Sequence, residues 1–369
     1  MVAALVALGC ERSPGEPPTD PPRSVEGGVA ARPDAALPEA GSAQALAEIR
    51  SGTLRVAPAR TPAQVLALGR GRLARVTATG VEVHDLRVDA GASMEAPLAG
   101  ARRVVALPDG ALLALGRDAS LWFDARGKAP VTVGRVSLFP EAVVHPDLAD
   151  ATRVWVAPGF GTALYEYALD PRRGALHLAG DLPLELADHD GRVLGATRDG
   201  TLLYSTAEGL FRRGGRGRPA RLVLEGLELG AILRVLPTTR VDRAVFVHAD
   251  GRAVLAQVAP SFRALRTVAL PGDVRDVASG GERLAVVHVE QGKGRPRVWH
   301  LAVIHLDGPG RLDVALGEDG PDLASDDWEA RVTADRNVVV SADGALVAVG
   351  GRGAVRVWST ESGALVASR

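Results

Sequence analysis

The sequence predicts an all-β fold assembled from repeated four-stranded antiparallel units. Three observations carry that expectation. Short β-rich runs recur along most of the chain, each ended by Gly- or Asp-containing turn residues. Stretches one regular period apart resemble each other. Helical periodicity is nearly absent, residues 43–50 being the one fair candidate.

The clearest unit closes the chain, from Asn337 to Ser368. Its β-rich runs are separated by Asp343-Gly344, by Gly350 to Gly353, and by Glu361-Ser362-Gly363. Gly and Asp supply the positive φ that tight hairpins demand. Near the start, Val104 to Phe123 superposes on Val338 to Val357, with Asp109-Gly110 over Asp343-Gly344. Arg-Val-Trp recurs at Arg153–Trp155, Arg297–Trp299 and Arg356–Trp358, and looser copies begin near Val65, Val193, Ala231 and Val274. The spacing of about 40–50 residues is that of a four-stranded β-propeller blade. Counting from Val65 gives seven blades; ragged third and fifth units leave six or eight open. A closed ring also removes exposed sheet edges, so weak repetition suffices to maintain it. The last blade draws all its strands from C-terminal sequence, which leaves Thr53-Leu54-Arg55-Val56 as a spare strand able to latch onto it. A β-sandwich, the competing fold, has no reason to repeat Asp-Gly-Ala-Leu and Arg-Val-Trp.

With Ser341-Ala-Asp343-Gly344, a small apolar strand, a Gly-rich turn, Val355-Arg-Val-Trp358 and Thr360-Glu-Ser-Gly363, the last unit resembles a WD40 repeat. The resemblance runs from about residue 60 to 369 and is specific in the last blade and the one around Val104. Ser359 stands where the family has Asp after the Trp, and no Gly-His pair precedes the blades. The family's buried Asp-His-Ser/Thr-Trp network is therefore not expected. Other blades are as similar to quinoprotein-like or NHL-like propellers.

Met1 to Cys10 resembles the end of a bacterial lipoprotein signal peptide: an apolar run, then Ala7-Leu8-Gly9-Cys10, with a small residue before the cysteine. Ala7 replaces the usual larger aliphatic residue, and no basic n-region precedes the run. The resemblance implies cleavage before Cys10 and lipidation of its thiol. Residues 11–45 are rich in Pro, Gly, Ala and acidic groups, too poor in apolar surface to offset ordering entropy. They are expected to be a disordered tether, which at about 5–6 Å × √n would hold the domain roughly 30–40 Å from the lipid. The expected organisation is a signal segment at 1–10, a tether at 11–45 and a single propeller at 46–369. The implied address is the bacterial cell envelope, lipid-anchored and facing the periplasm or the cell exterior.

The chain has 369 residues, 46% hydrophobic and 24% charged, the composition of a chain able to bury a core. Its 43 basic and 44 acidic residues nearly cancel, so no global field draws it to nucleic acid, and none is expected as a partner. The basic residues are Arg apart from Lys128 and Lys293, and Asn337 is the only asparagine. Cys10 is the only cysteine, which rules out an internal disulfide.

Local catalytic signatures are missing: no nucleophile elbow, His-Glu-x-x-His, phosphate loop or EF-hand. Propeller enzymes, however, gather single residues from many blades. One pattern repeats a blade apart: Val245-Phe-Val-His248-Ala-Asp250 and Ala285-Val-Val-His288-Val-Glu290. A His and a carboxylate at i+2 share one strand face, so His248, Asp250, His288 and Glu290 could converge as a metal site. The plainer reading is polar residues at strand ends, Asp250-Gly251 being a turn. His300 and His305 are five apart and face opposite ways. The acidic stretch from Glu318 to Glu329 fits no calcium-ligand register and reads as a solvated connection. Arg212, Arg213, Arg216, Arg218 and Arg221 form a basic patch that could dock an anionic partner, or be a charged hairpin.

These readings favour a non-catalytic scaffold binding an envelope protein, with no cofactor. The alternative is an envelope enzyme, a metal-dependent hydrolase or lactonase or a quinone-dependent dehydrogenase, with its site at the central channel. A purely structural envelope role is the third.

Overall fold

The computed structural model describes residues 64–87, 93–136, 142–157, 163–183, 192–205, 209–213, 221–225, 232–248, 250–290, 298–318, 337–350 and 354–368. These form 28 strands, β1 to β28, and no helix. Every sheet has four antiparallel strands in sequential order. The seven sheets span 66–97, 103–133, 143–183, 192–225, 232–269, 273–318 and 337–368. The molecule is a seven-bladed β-propeller, which settles the blade number left open above.

The innermost strands are β1 (Leu66–Gly69), β5 (Arg103–Ala106), β9 (Val143–Pro146), β13 (Arg192–Ala196), β17 (Ile232–Pro237), β21 (Asp273–Gly280) and β25 (Asn337–Val340). Successive side chains on a strand face opposite ways, so each blade offers one face to each neighbour. That is why these strands read as near-continuous apolar runs. In β10 (Arg153–Ala157), Val154 and Val156 pack with Val105, Leu113 and Leu115 of blade 2. The intervening Trp155 instead packs with Ala196, Leu202 and Tyr204 of blade 4. Among the described residues blade 7 draws its four strands from 337–368, and the ring closes where Ala348, Val355 and Val357 of blade 7 pack with Leu66, Leu68 and Leu73 of blade 1. Thr53 to Val56, the spare strand of the sequence reading, lies outside the described residues, as do Cys10 and residues 1–45.

The repeated turn is built as its residues require. Gly110 and Gly344 take φ of 87° and 75°. The preceding Asp109 and Asp343 accept hydrogen bonds from Ala111 N (2.9 Å) and Ala345 N (3.0 Å), each closing an Asx turn. In blade 7, Asp343 also accepts from the Ser341 hydroxyl at 2.5 Å, and Ser341 Oγ in turn accepts from Leu346 N at 3.0 Å. Thr197 and Asp199 repeat the hydroxyl–carboxylate pair in blade 4. Blade 6 exceeds the expected strand length, with eight residues in each of its four strands. Its run Leu284 to Val289 has no turn residue to stop it.

Candidate functional site

The propeller brings its chemistry-bearing residues together along the inner strands, where one side chain per blade can reach its neighbours. Two arrangements brace the ring there. Gln64, just ahead of β1, uses its backbone carbonyl to accept from Val104 N of blade 2 at 2.8 Å. Its side-chain amide spans to blade 3, where Nε2 donates to Val144 O (2.6 Å) and Oε1 accepts from Val144 N (2.9 Å). The side chain thus acts as a peptide unit and couples blades 1, 2 and 3.

Asp276 does the same for blades 5, 6 and 7. It is buried, at 5% exposure. Its Oδ1 accepts from Arg234 Nη1 of blade 5 at 2.9 Å, while Oδ2 accepts from Asn337 Nδ2 (2.7 Å) and Val338 N (2.8 Å) of blade 7. Arg234 Nη1 also donates to Val277 O at 2.6 Å. A carboxylate accepting this many bonds, one from a guanidinium, is held firmly in place.

The Arg234–Asp276 brace rests on a bulge repeated in three consecutive inner strands. Register shifts between Val193 and Gly195, Ile232 and Arg234, and Val274 and Asp276. The residue after the bulge therefore falls on equivalent positions: Gly195, Arg234 and Asp276. Arg234 and Asp276 each extend to the next blade. Gly195 cannot, because a Cβ there would lie 2.0 Å from Val235 O; backbone approach replaces the side-chain bridge.

His145 lies on β9, the inner strand of blade 3. Burial, reinforced by the Arg234 charge, lowers its pKa to about 4, so the ring is neutral at physiological pH. Its Nε2 has no hydrogen-bond partner among the described residues.

The residues singled out from sequence are placed as follows. His248 ends β18 (Arg243–His248), opposite Ile232 of the inner strand. Asp250 lies in the following turn and accepts from Arg252 N (3.1 Å) and Nε (2.7 Å). Burial pushes the Asp250 carboxyl up, but the Arg252 bond and charge outweigh it and hold the pKa below the usual value. His288 and Glu290 lie on β22 (Arg283–Glu290) of the next blade. The His288 ring stacks on His300 of β23 (Val298–His305), centroids 5.2 Å apart. Burial first, then the His300 charge, lowers the His288 pKa. Glu290 is exposed, with Oε2 3.9 Å from His300 Nε2. Among the described residues no group of three or more His, Cys, Asp or Glu is placed to hold a metal ion.

Of the basic patch, Arg212 and Arg213 lie on β15 (Gly209–Arg213) and Arg221 on β16 (Arg221–Glu225), with Arg212 directly opposite Arg221. Arg212 Nη1 donates to Val258 O of blade 5 at 3.3 Å. Arg216 and Arg218 lie outside the described residues.

Sequence reading missed Gln64, Arg234 and Asp276. Arg234 and Asp276 each interrupt an apolar run, in Ile232-Leu-Arg-Val-Leu and Val274-Arg-Asp-Val, and Asn337 is the only asparagine. Those were the available signals.

No family model and no curated protein matches the sequence. Solved structures do match in fold. A chain of the mitotic checkpoint complex aligns with TM-score 0.50 at 12% identity, covering 82% of this chain and 92% of that one. A provisionally named 6-phosphogluconolactonase from Bacteroides uniformis aligns at 0.50 and 12%, covering 78% and 90%. The WD40 domain of SCAP from fission yeast aligns at 0.42 and 10%, covering 84% and 88%. The shared property is the propeller fold.

Proposed function

We propose that this propeller is a non-catalytic scaffold that binds a protein partner at the bacterial cell envelope, held there by a lipid on Cys10. The observation that carries this reading is the use to which Asp276 is put. Both oxygens of this buried carboxylate are spent on neighbouring blades, so the group serves the cohesion of the ring. A general base needs a free, positioned lone pair; a scaffold needs rigidity. Other acids are committed too: Asp85 to Arg87, Asp250 to Arg252 and Asp273 to Arg275. A rigid ring that presents loops from seven blades suits recruitment of another protein. The likeness to a chain of a multiprotein complex agrees with it, as fold-level analogy.

The test uses full-length protein in its native membrane. Chemical crosslinking in cells should yield one stoichiometric partner that retrieves this chain reciprocally. The same protein, purified, should turn over neither lactones nor quinone-linked substrates, with or without divalent metals. Saturable turnover by the wild type, abolished by His145→Phe, would overturn the scaffold reading in favour of a channel enzyme.

A further inference from the structure

An antiparallel meander puts the first and third turns of a blade at one end of the ring and the second turn at the other. At the first end, the flanking blades 3 and 6 set acids against their arginines. Arg153 meets Asp150 at 3.0 Å and Glu166 at 3.2 Å, and Arg283 meets Asp307 at 3.5 Å. Blades 4 and 5 depart from this pattern. Arg198, Arg221, Arg243 and Arg263 have no ion pair among the described residues, and Arg198, Arg221 and Arg263 are exposed. From Arg212 to Leu224 the sequence holds five arginines and no acid.

Printed contacts join these cations into one surface. Arg212 and Arg221 are directly opposite on β15 and β16; like charges so placed repel, and an anion between them would relieve it. Arg212 Nη1 reaches Val258 O, in the third turn of blade 5, at 3.3 Å. Val258 N donates in turn to Asp242 O, in the first turn of that blade, at 2.8 Å. One residue before Val258, Gln257 lies in a row between Arg243 and Arg263 across β18, β19 (Arg252–Gln257) and β20 (Arg263–Ala269). The acids described on these turns, Asp199 and Asp242, are already engaged. Asp199 accepts from the Thr197 hydroxyl (2.5 Å) and Thr201 N (3.1 Å), and Asp242 from Arg240 (3.1 Å).

Apolar side chains stand exposed among the arginines. Val241, beside Arg240 in the first turn of blade 5, is 55% exposed, and Leu222, beside Arg221, is 49% exposed. An acidic protein surface would reward the arginines alone. The headgroup layer of an anionic membrane rewards both, since guanidinium forks match phosphate oxygens and apolar side chains enter the acyl boundary. We propose that the end of blades 4 and 5 built from Arg198, Arg212, Arg221, Arg240, Arg243 and Arg263 docks on an anionic phospholipid surface, with Val241 entering the headgroup layer. This surface goes beyond the scaffold reading and would stand without it, and without a lipid on Cys10.

The experiment uses the full chain carrying Cys10→Ser, which removes any lipid contribution and leaves no thiol. Vesicles of equal parts phosphatidylglycerol and phosphatidylcholine should bind it, and pure phosphatidylcholine vesicles should not. Binding should weaken as salt rises, because exposed charges are screened. Each arginine at the membrane surface contributes about fivefold in partition, so Arg198→Gln with Arg221→Gln should weaken binding about 25-fold. Both side chains are exposed, so thermal unfolding should not move. A polarity-sensitive dye on Val241→Cys should shift to the blue on the anionic vesicles, while the same dye on Leu365→Cys of blade 7, also exposed, should not. Equal binding to both vesicle types, unweakened binding by the double glutamine variant, or equal dye shifts at the two positions would overturn the surface. Binding to poly-glutamate without binding to the vesicles would overturn the lipid assignment in favour of an acidic protein.

Discussion

Replacing Asp276 with alanine should be among the costliest single changes available in this ring, because its carboxylate serves three blades. The substitution leaves Val338 N–H and Asn337 Nδ2 buried without acceptors, at about 1–3 kcal/mol each. Arg234 loses its counter-ion but keeps Val277 O at 2.6 Å and is partly solvated. Its contribution is therefore discounted to at most about 1 kcal/mol. The expected loss is about 3–5 kcal/mol. With an unfolding entropy of about 2.1 cal/mol/K per residue over the roughly 240 described residues, this lowers Tm by about 6–10 °C. Thermal and urea unfolding of the full chain, followed by tryptophan fluorescence and circular dichroism, would measure it. The comparison is Asp313→Ala, which removes an exposed pair with Arg311 (2.7 Å) and should cost no more than about 1 kcal/mol. If the two variants unfold together, the brace contributes nothing and the reasoning fails.

Acid should destabilise the fold through His145. Its pKa falls from 6.5 unfolded to about 4 folded, so the unfolded chain binds the proton first. Stability is full above pH 6.5 and is lost progressively as pH falls toward 4, by at most about 3 kcal/mol; His145→Phe should flatten that slope, and an unchanged slope would refute the assignment. Leu203→Ala, at a fully buried position in the blade 4–5 cluster, should cost roughly 2–5 kcal/mol by chemical denaturation. Gly195→Ala must push β17 away, because the new Cβ would meet Val235 O at 2.0 Å; a cost of roughly 1–3 kcal/mol is expected, and a neutral result would show the strands are not so close. Metabolic labelling with a palmitate analogue should mark the wild type and not Cys10→Ser, and equal labelling would remove the proposed anchor.

Asp109-Gly110 and Asp343-Gly344 were legible because a tight turn is local chemistry: the Asp carboxylate and a Gly with positive φ do their work within four residues. Periodicity followed from such turns, and blade number from periodicity. The channel wall was not legible, because its partners are far apart in sequence. Gln64 meets Val144 and Asp276 meets Asn337 only once the ring has closed. A hydrophilic residue within an apolar run signals an exception without naming its partner. The His288 motif shows the limit from the other side. Spacing paired it with Glu290, while its ring stacks on His300 of the adjacent strand, a neighbour that depends on hairpin register rather than spacing.

The two braces also divide the ring mechanically. Gln64 ties blades 1 to 3 into one stiff arc, and Asp276 with Arg234 ties blades 5 to 7 into another. Blade 4 belongs to neither. A closed hoop with two reinforced arcs does not share its thermal breathing evenly; strain collects at the softest joint, and the arcs swing about it like the jaws of a clasp. Amide hydrogen exchange would then spread outward from blade 4, which neither brace includes.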